Sequence, residues 1–167
     1  HMKIGLKLYE TGYRFESNQR ARVYLTNALD NPKDFSGTFA FAIPALANEA
    51  RAVNEIKRNT YFTVIIGNPP YSLVSSNMLP MHRQLVKRYK FIDEVPIKER
   101  GALQLEKILN DDYVKFIAKS EALISKSGAG VLGLITNHAF IDNPTMRGMR
   151  HSLLTTFESR YICDLHG

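Results

Sequence analysis

The residues best suited to chemistry are the four that follow a short apolar run, namely Asn68, Pro69, Pro70 and Tyr71. Proline fixes its φ angle and has no N–H group, so the turn is stiff and rich in hydrogen-bond acceptors. The Asn68 amide oxygen and a neighbouring carbonyl could each accept one hydrogen of an NH₂ group, while Tyr71 offers a ring for stacking. The turn therefore predicts a site for a planar ligand that carries an amine or amide nitrogen.

The element that must position this turn is the apolar run from Tyr61 to Ile66. Short apolar runs that end at turn residues are typical of strands buried on both faces of a parallel α/β sheet. Ligands of such sheets bind beyond the carboxyl ends of the strands, where the turn falls. A Pro-Pro-Tyr sequence can also be a ligand for a small recognition domain, but such ligands lie in exposed, disordered segments.

Composition predicts one globular domain over residues 1–167, with 44% hydrophobic and 23% charged residues. No apolar run is long enough to span a membrane and no signal peptide opens the sequence, so we expect no membrane partner. A formal charge of +6 modestly favours a polyanionic partner, although a merely basic protein is the alternative. The single cysteine, Cys163, excludes an intramolecular disulfide and favours the reducing cytoplasm.

Periodicity predicts alternating helices and strands. The predicted helices are Lys3–Tyr9, 42–58 and Leu103–Ser127, and a further helix starts at Asn143-Pro144. The predicted strands, besides the one before Asn68, are Arg22–Thr26, Val131–Thr136 and Tyr161–Leu165. The 42–58 helix should return the chain from the strand at residues 22–26 to the strand before Asn68 by a right-handed crossover.

Two further groups of side chains could do chemistry. Asp111 and Asp112 fall within a predicted helix, where adjacent side chains point about 100° apart, so we predict no metal site. His138 follows the predicted strand Val131–Thr136, and we interpret it as a binding or structural residue.

The segment from 72 to 101 leaves the Asn68–Tyr71 turn and combines basic with aromatic side chains. Its cluster comprises His82, Arg83, Lys87, Arg88 and Lys90, interleaved with Tyr89 and Phe91. This composition is typical of surfaces that track nucleic acids. The alternative is an amphipathic helix with its charges in water, but the position beside Tyr71 favours a DNA-facing loop for at least part of the segment.

Asn-Pro-Pro-Tyr after an apolar strand resembles the catalytic motif of S-adenosylmethionine-dependent amino-methyltransferases, chiefly the DNA adenine methyltransferases. The resemblance implies that Asn68 and Pro69 accept hydrogen bonds from the amine of a flipped-out adenine, that Pro70 stiffens the turn and that Tyr71 stacks on the base. The same motif also serves enzymes that methylate a protein glutamine or RNA bases, so by itself it does not name the polymer.

Later segments resemble the methyltransferase region of fused restriction–modification enzymes of the type ISP class. They are 111–117, 135–137, 142–145, 147–150 and 164–167, and they occur in the family order over nearly the whole chain. The resemblance implies part of a Rossmann-like α/β fold, DNA adenine as substrate, and cofactor contacts from Asn27 and Phe116. The alternatives are an Asn27 that merely forms a turn and a Phe116 that merely fills a core.

The glycine-rich loop through which this family binds S-adenosylmethionine is missing from the sequence, and the family order places it before Lys3. We therefore expect half of a cofactor site, weak or no cofactor binding and no DNA methylation by this chain alone. In the family sheet, only the strands at Ile65 and Leu134 should keep each other as neighbours. The remaining unpaired edges predict self-association or a rearranged sheet.

Overall fold

Helices and short strands alternate along the chain in a computed structural model that describes residues 2–16, 21–32, 44–71, 75–98 and 102–165. The helices are α1 (Met2–Glu10), α2 (Pro44–Asn59), α3 (Pro80–Leu85), α4 (Ala102–Leu109), α5 (Asp112–Ser127), α6 (Ala139–Asp142) and α7 (Arg147–Thr156). The strands are β1 (Val64–Gly67), β2 (Phe91–Ile92), β3 (Val95–Pro96) and β4 (Val131–Leu134). Two 3₁₀ turns, Lys87–Lys90 and Pro144–Met146, precede β2 and α7. The described residues form a mixed α/β fold.

The strands β1 and β4 pair in parallel, with Val64 opposite Val131 and Gly67 opposite Leu134. A hydrogen bond of 3.0 Å from the Ile135 N–H to the Gly67 carbonyl continues the pairing beyond the strands. This result confirms the prediction that these two strands are neighbours. Because parallel strands point the same way, Asn68 and Ile135 lie at the same edge of the sheet.

The prediction that β1 is buried on both faces is wrong. Val64 and Ile66 are 61% and 79% exposed, whereas Ile65 between them is half-buried. A parallel strand is buried on both faces only where helices cover both. In the described part of the chain α5 packs against β1 and β4, and the other face stays open.

Two predicted strands are also wrong. Residues 22–26 and 161–165 have no strand structure, and the side chains of Leu25 and Tyr161 are fully or almost fully exposed. A strand needs a neighbour that satisfies its N–H and C=O groups, and no described segment pairs with either one. The crossover predicted from residues 22–26 is therefore not formed.

The single helix predicted over Leu103–Ser127 is two helices, because the chain breaks at Asn110 and Asp111. The Asp111 carboxylate accepts a hydrogen bond from the Tyr113 N–H at 3.4 Å and caps α5. The predicted stop is confirmed: Gly128 ends α5 with a positive φ of 80°. Apolar spacing runs across the break because both helices face the same core.

The other predicted helices are confirmed within the described residues. Helices α1 and α2 match their predictions, although residues 42 and 43 lie outside the described ranges, as do residues 166 and 167 of the last family segment. The start at Asn143 and Pro144 is confirmed by a hydrogen bond of 2.9 Å from the Thr145 N–H to the Asn143 side-chain oxygen.

The core surrounds α5 and is tied together by a fully buried carboxylate. The core residues are Val86, Tyr89, Leu105, Leu109, Tyr113, Val114, Ile117, Ala118, Met146 and Met149. Glu121 of α5 accepts hydrogen bonds from the hydroxyls of Tyr89 (2.8 Å), Ser152 (2.6 Å) and Thr156 (2.7 Å). Burial, then the charge of Glu121, raises the pKa of Tyr89 well above its usual value, so Tyr89 stays a donor. These bonds hold α7 and the first 3₁₀ turn against α5.

Candidate functional site

The turn after β1 joins the ends of the two parallel strands. Its Tyr71 hydroxyl lies 2.9 Å from the Asn68 side-chain oxygen and 3.1 Å from the Ile135 carbonyl oxygen. Asn68 and Pro70 are exposed, Pro69 is buried, and Tyr71 is 50% exposed. The structure thus brings the predicted site residues together at the rim of the sheet.

The acceptor predicted on Asn68 is engaged by the Tyr71 hydroxyl. A phenol has a single proton, so Tyr71 can donate fully to only one of its two acceptors at a time. An incoming NH₂ group can therefore bond to Asn68 while Tyr71 keeps its bond to the Ile135 carbonyl. Exchanging one neutral hydrogen bond for another costs little free energy.

The ring of Tyr71 rests on α5 through Tyr113. The two ring centroids are 6.5 Å apart, with the planes 68° to each other, which is a favourable edge-to-face arrangement. Tyr113 is 2% exposed, and its hydroxyl faces the Met146 sulfur at 3.6 Å. Burial, with a smaller effect of the Asp111 charge, raises the pKa of Tyr113 to about 12.

This raised pKa predicts a pH-dependent stability. The neutral phenol is favoured in the fold, so its contribution is present below the unfolded pKa of about 10 and is lost as the pH rises towards about 12. We expect Tyr113→Phe to leave stability near pH 8 almost unchanged, since a thioether is a weak acceptor, and to reduce the loss at pH 11. Urea unfolding at pH 8 and at pH 11 measures the two free energies of unfolding. The exposed control Tyr161→Phe should behave as the unsubstituted chain does, and an equal loss in Tyr113→Phe would contradict the assignment.

A buried polar network that the sequence analysis missed lies beside this turn. The Lys115 ammonium, fully buried on α5, donates to the Ser75 hydroxyl and to the Asn77 carbonyl, both at 2.7 Å. One carboxylate oxygen of Asp112 accepts from the Ser75 hydroxyl at 2.5 Å and from the Asn77 amide at 3.0 Å. Burial lowers the pKa of Lys115, and the charge of Asp112 opposes that shift. The spacing of Asp112 and Lys115, three residues apart on one helix, was the available signal.

The two residues predicted to contact a cofactor lie near this network. The Asn27 amide nitrogen donates to the Asn77 side-chain oxygen at 2.8 Å, and its own oxygen accepts from the Leu29 N–H at 3.0 Å. This geometry matches the turn-forming alternative for Asn27. Phe116 follows Lys115 on α5 and is half-buried. The structure therefore leaves Phe116 partly open and commits the Asn27 amide to protein contacts.

Several side chains of the basic and aromatic segment make structural contacts, so only part of its described residues could face DNA, as predicted for part of the segment. Tyr89 is buried, and the buried His82 ring bonds to the Asp30 carboxylate at 2.8 Å. Arg88 pairs with Glu121 at 3.4 Å, and Lys90 pairs with Glu106.

Part of the segment nevertheless stays on the surface. Arg83 and Lys87 are exposed. A cleft of about 650 Å³ lies between this segment and α5, lined among others by Lys87, Arg88 and Phe91. The segment therefore offers a smaller basic surface than its sequence predicts.

The structure also shows the surroundings of His138 and Cys163. His138 is exposed just before α6, where the Ala139 N–H donates to the Asn137 side chain at 2.7 Å. Cys163 is free and exposed. Within the described ranges, His, Cys, Asp and Glu side chains form no group of three that could hold a metal ion. Helices in the same ranges are too short or too polar to cross a membrane.

Comparison with known proteins identifies one family. The sequence model described as Eco57I restriction-modification methylase matches residues 6–167, which is almost the whole chain. Neither the curated proteins nor the solved structures yield a match.

Proposed function

Because the chain belongs to the Eco57I restriction-modification methylase family, we propose that its Asn68–Tyr71 turn binds the exocyclic amine of adenine in DNA for methylation. Restriction–modification methylases act on DNA, and the family membership supports DNA methylation in general. Adenine as the base, and a Rossmann-like arrangement of the complete sheet, are the finer parts of the proposal. We place the protein in the reducing cytoplasm, where a free, exposed thiol such as Cys163 persists.

The observation that carries the proposal is the geometry at the ends of β1 and β4. An exposed asparagine, a proline-locked backbone and a half-exposed tyrosine ring lie together at the carboxyl edge of parallel strands. This edge is where α/β sheets bind their ligands. In a duplex the adenine is stacked and one hydrogen of its amine is held in the base pair, so the base has to be extruded before both hydrogens can reach this turn.

The residues of the turn would act by accepting hydrogen bonds. The Asn68 side-chain oxygen and the Pro69 carbonyl would each take one hydrogen of the adenine amine, after Tyr71 releases Asn68. Two acceptors draw the N–H bonds into one orientation and turn the nitrogen lone pair away from the ring. Since the acceptors are fixed before the reaction, no reorganisation is needed as positive charge develops on the nitrogen.

S-adenosylmethionine would supply the methyl group. The described residues fit it only in part: Phe116 is partly open for contact with a planar ring, whereas the Asn27 amide already bonds to Asn77 and Leu29. Asn27 could take up the cofactor only by giving up one of those bonds. We therefore retain Phe116 and Asn27 as proposed contacts and derive no step from them.

DNA is the proposed polyanionic partner, and self-association is the proposed contact with a second copy. Exposed Arg83 and Lys87, with the net charge of +6, support DNA as the partner. Among the described residues, β1 and β4 form a two-stranded sheet with an exposed apolar face and unpaired outer edges, which supports self-association. Light scattering that gives only monomers at the concentrations used for assays would remove self-association from the proposal.

The deciding experiment offers three polymers to the protein. Tritium-labelled S-adenosylmethionine is incubated with unmethylated DNA, with RNA and with protein, using this chain and a longer form that also carries a glycine-rich loop. We expect the longer form to label DNA, with the label on the adenine amine after nucleoside analysis. Label in RNA or on a glutamine would overturn DNA as the substrate. Base binding that Tyr71→Ala weakens, without any methyl transfer, would indicate a non-catalytic binding module.

A further inference from the structure

The chain that follows the Asn68–Tyr71 turn is fastened to α5 at Ser75 and Asn77. The Ser75 hydroxyl donates to Asp112 at 2.5 Å, and it accepts from the Lys115 ammonium at 2.7 Å and from the Asn77 N–H at 2.9 Å. A serine hydroxyl has one proton and two acceptor positions, so all its hydrogen-bonding capacity is used. Ser75 is thereby fixed in both position and rotamer.

Burying the charges of Lys115 and Asp112 costs free energy that a link between uncharged side chains would avoid. Lys115 is 0% and Asp112 5% exposed, and the ammonium lies 3.8 Å from the carboxylate. Removing charges from water is expensive, and apolar side chains of similar volume often stabilise a protein as well or better. In some proteins, buried ion pairs of this kind fix one geometry rather than add stability. The geometry that this pair fixes is that of Ser75 and Asn77.

Fixing Ser75 restricts Tyr71. Three residues lie between the two, so the four Cα–Cα steps from Tyr71 to Ser75 span at most roughly 14 Å. Tyr113, from the same first turns of α5, contacts the Tyr71 ring edge to face. Asn77 also holds the Asn27 side chain at 2.8 Å. The first turns of α5 thus contact Tyr71 directly, hold the chain at Ser75 four positions further on, and reach Asn27 through Asn77.

We propose that Lys115 is a positioning residue that acts through Ser75 and Asn77 to hold the Asn68–Tyr71 turn in the geometry that binds the amine. It touches neither substrate nor cofactor. The relevance of that geometry to methylation rests on the proposed function, whereas the positioning itself does not.

The positioning is tested on the chain itself by NMR. Lys115→Met keeps a long, buried side chain and removes the ammonium, while Lys119→Met is the matched control, because Lys119 is a half-buried lysine one turn further along α5. In folded Lys115→Met we expect the contact between Tyr71 and Ile135 to be lost and the amide of Asn77 to exchange at least about tenfold faster, the equivalent of one ordinary hydrogen bond. Lys119→Met should change neither. A folded Lys115→Met with both signals unchanged would overturn the inference.

A second variant covers the case in which Lys115→Met does not fold. Ser75→Ala removes only the hydroxyl that joins Lys115 to Asp112, and it should produce the same loss of the Tyr71 contact. An intact Tyr71 contact in Ser75→Ala would overturn the inference in the same way.

Methylation kinetics separate this inference from the proposed function. In the longer form that carries the glycine-rich loop, we expect Lys115→Met to lower kcat by about 100-fold, the effect of a misplacement of about 1 Å. The KM for DNA should change less than kcat, since Lys115 touches no part of the substrate. An unchanged kcat in a folded variant would overturn the positioning role, whereas an unsubstituted enzyme that methylates nothing would overturn the proposed function and leave the NMR result standing.

Discussion

Asn68→Ala is expected to reduce the methylation rate of an active form by about 100- to 1,000-fold, the usual effect of removing one preorganised polar group from a reacting centre. The substitution removes the side-chain amide oxygen of the turn and leaves the Pro69 carbonyl as the remaining proposed acceptor for the amine. The loss should appear in kcat more than in the KM for DNA, because the acceptor matters most when charge develops on the nitrogen. Single-turnover assays at saturating DNA measure it directly.

Tyr71→Phe is the matched control for Asn68→Ala. It keeps the ring at the same position and removes the hydroxyl that bonds to Asn68 in the present structure. Since an ordinary hydrogen bond contributes roughly 0.5–1.5 kcal/mol net, we expect a change in rate within about tenfold, in either direction. Because Asn68 is exposed, the Asn68→Ala variant should unfold at the same urea concentration as the unsubstituted chain. A folded Asn68→Ala that methylates at the unsubstituted rate would remove Asn68 from the proposed chemistry.

The part of the site that sequence could predict is the part made of consecutive residues. The strand β1, its turn and the parallel neighbour β4 follow from apolar runs and from residues that stop them, and the structure places them as predicted. The sequence could not show that the Asn68 side-chain oxygen accepts a hydrogen bond from the Tyr71 hydroxyl. Its bond to Tyr71 depends on a rotamer and on the carbonyl of Ile135, which lies 64 residues away in the chain.

The network around Lys115 escaped prediction for a similar reason. Its bonds to Ser75 and Asn77 join residues 40 and 38 positions apart. In sequence, Lys115 sits in an amphipathic helix where a lysine is ordinarily solvated. Only the packing of the 75–77 segment onto α5 turns this lysine into a buried donor.

The wrong predictions about strands share one physical cause. Residues 22–26 and 161–165 have the β-branched and aromatic composition of strands, but composition records the fit to a sheet and not the presence of a partner. The same holds for the exposed face of β1, whose apolar side chains Val64 and Ile66 are those of a strand covered on both sides. A local pattern therefore predicts that a segment requires a paired strand and a covering layer. Of the strands predicted from the sequence, only β1 and β4 are paired in the described fold, and they are covered on one face.

Gly148→Ala is expected to cost about 3 kcal/mol of stability, at the upper end of the usual effect of overpacking. Gly148 lies near the start of α7, where that helix crosses the first 3₁₀ turn. A Cβ atom there would come within 2.1 Å of the Tyr89 carbonyl oxygen and 2.7 Å of a methyl group of Ile97. The Tyr89 backbone cannot easily withdraw, because its side chain is buried and bonded to Glu121. We therefore expect α7 to be forced away from the core.

The measurement for Gly148→Ala is thermal unfolding followed by circular dichroism, with Gly5→Ala as the control. For a chain of this size a loss of 3 kcal/mol corresponds to a decrease in Tm of about 10 °C. Gly5 lies in α1, and a Cβ atom there meets nothing within 4 Å. Because alanine forms helices better than glycine, Gly5→Ala should leave Tm unchanged or raise it slightly. An unchanged Tm in Gly148→Ala would mean that α7 does not pack on the Tyr89 turn. It would also contradict the hydrogen bonds from Ser152 and Thr156 of α7 to Glu121.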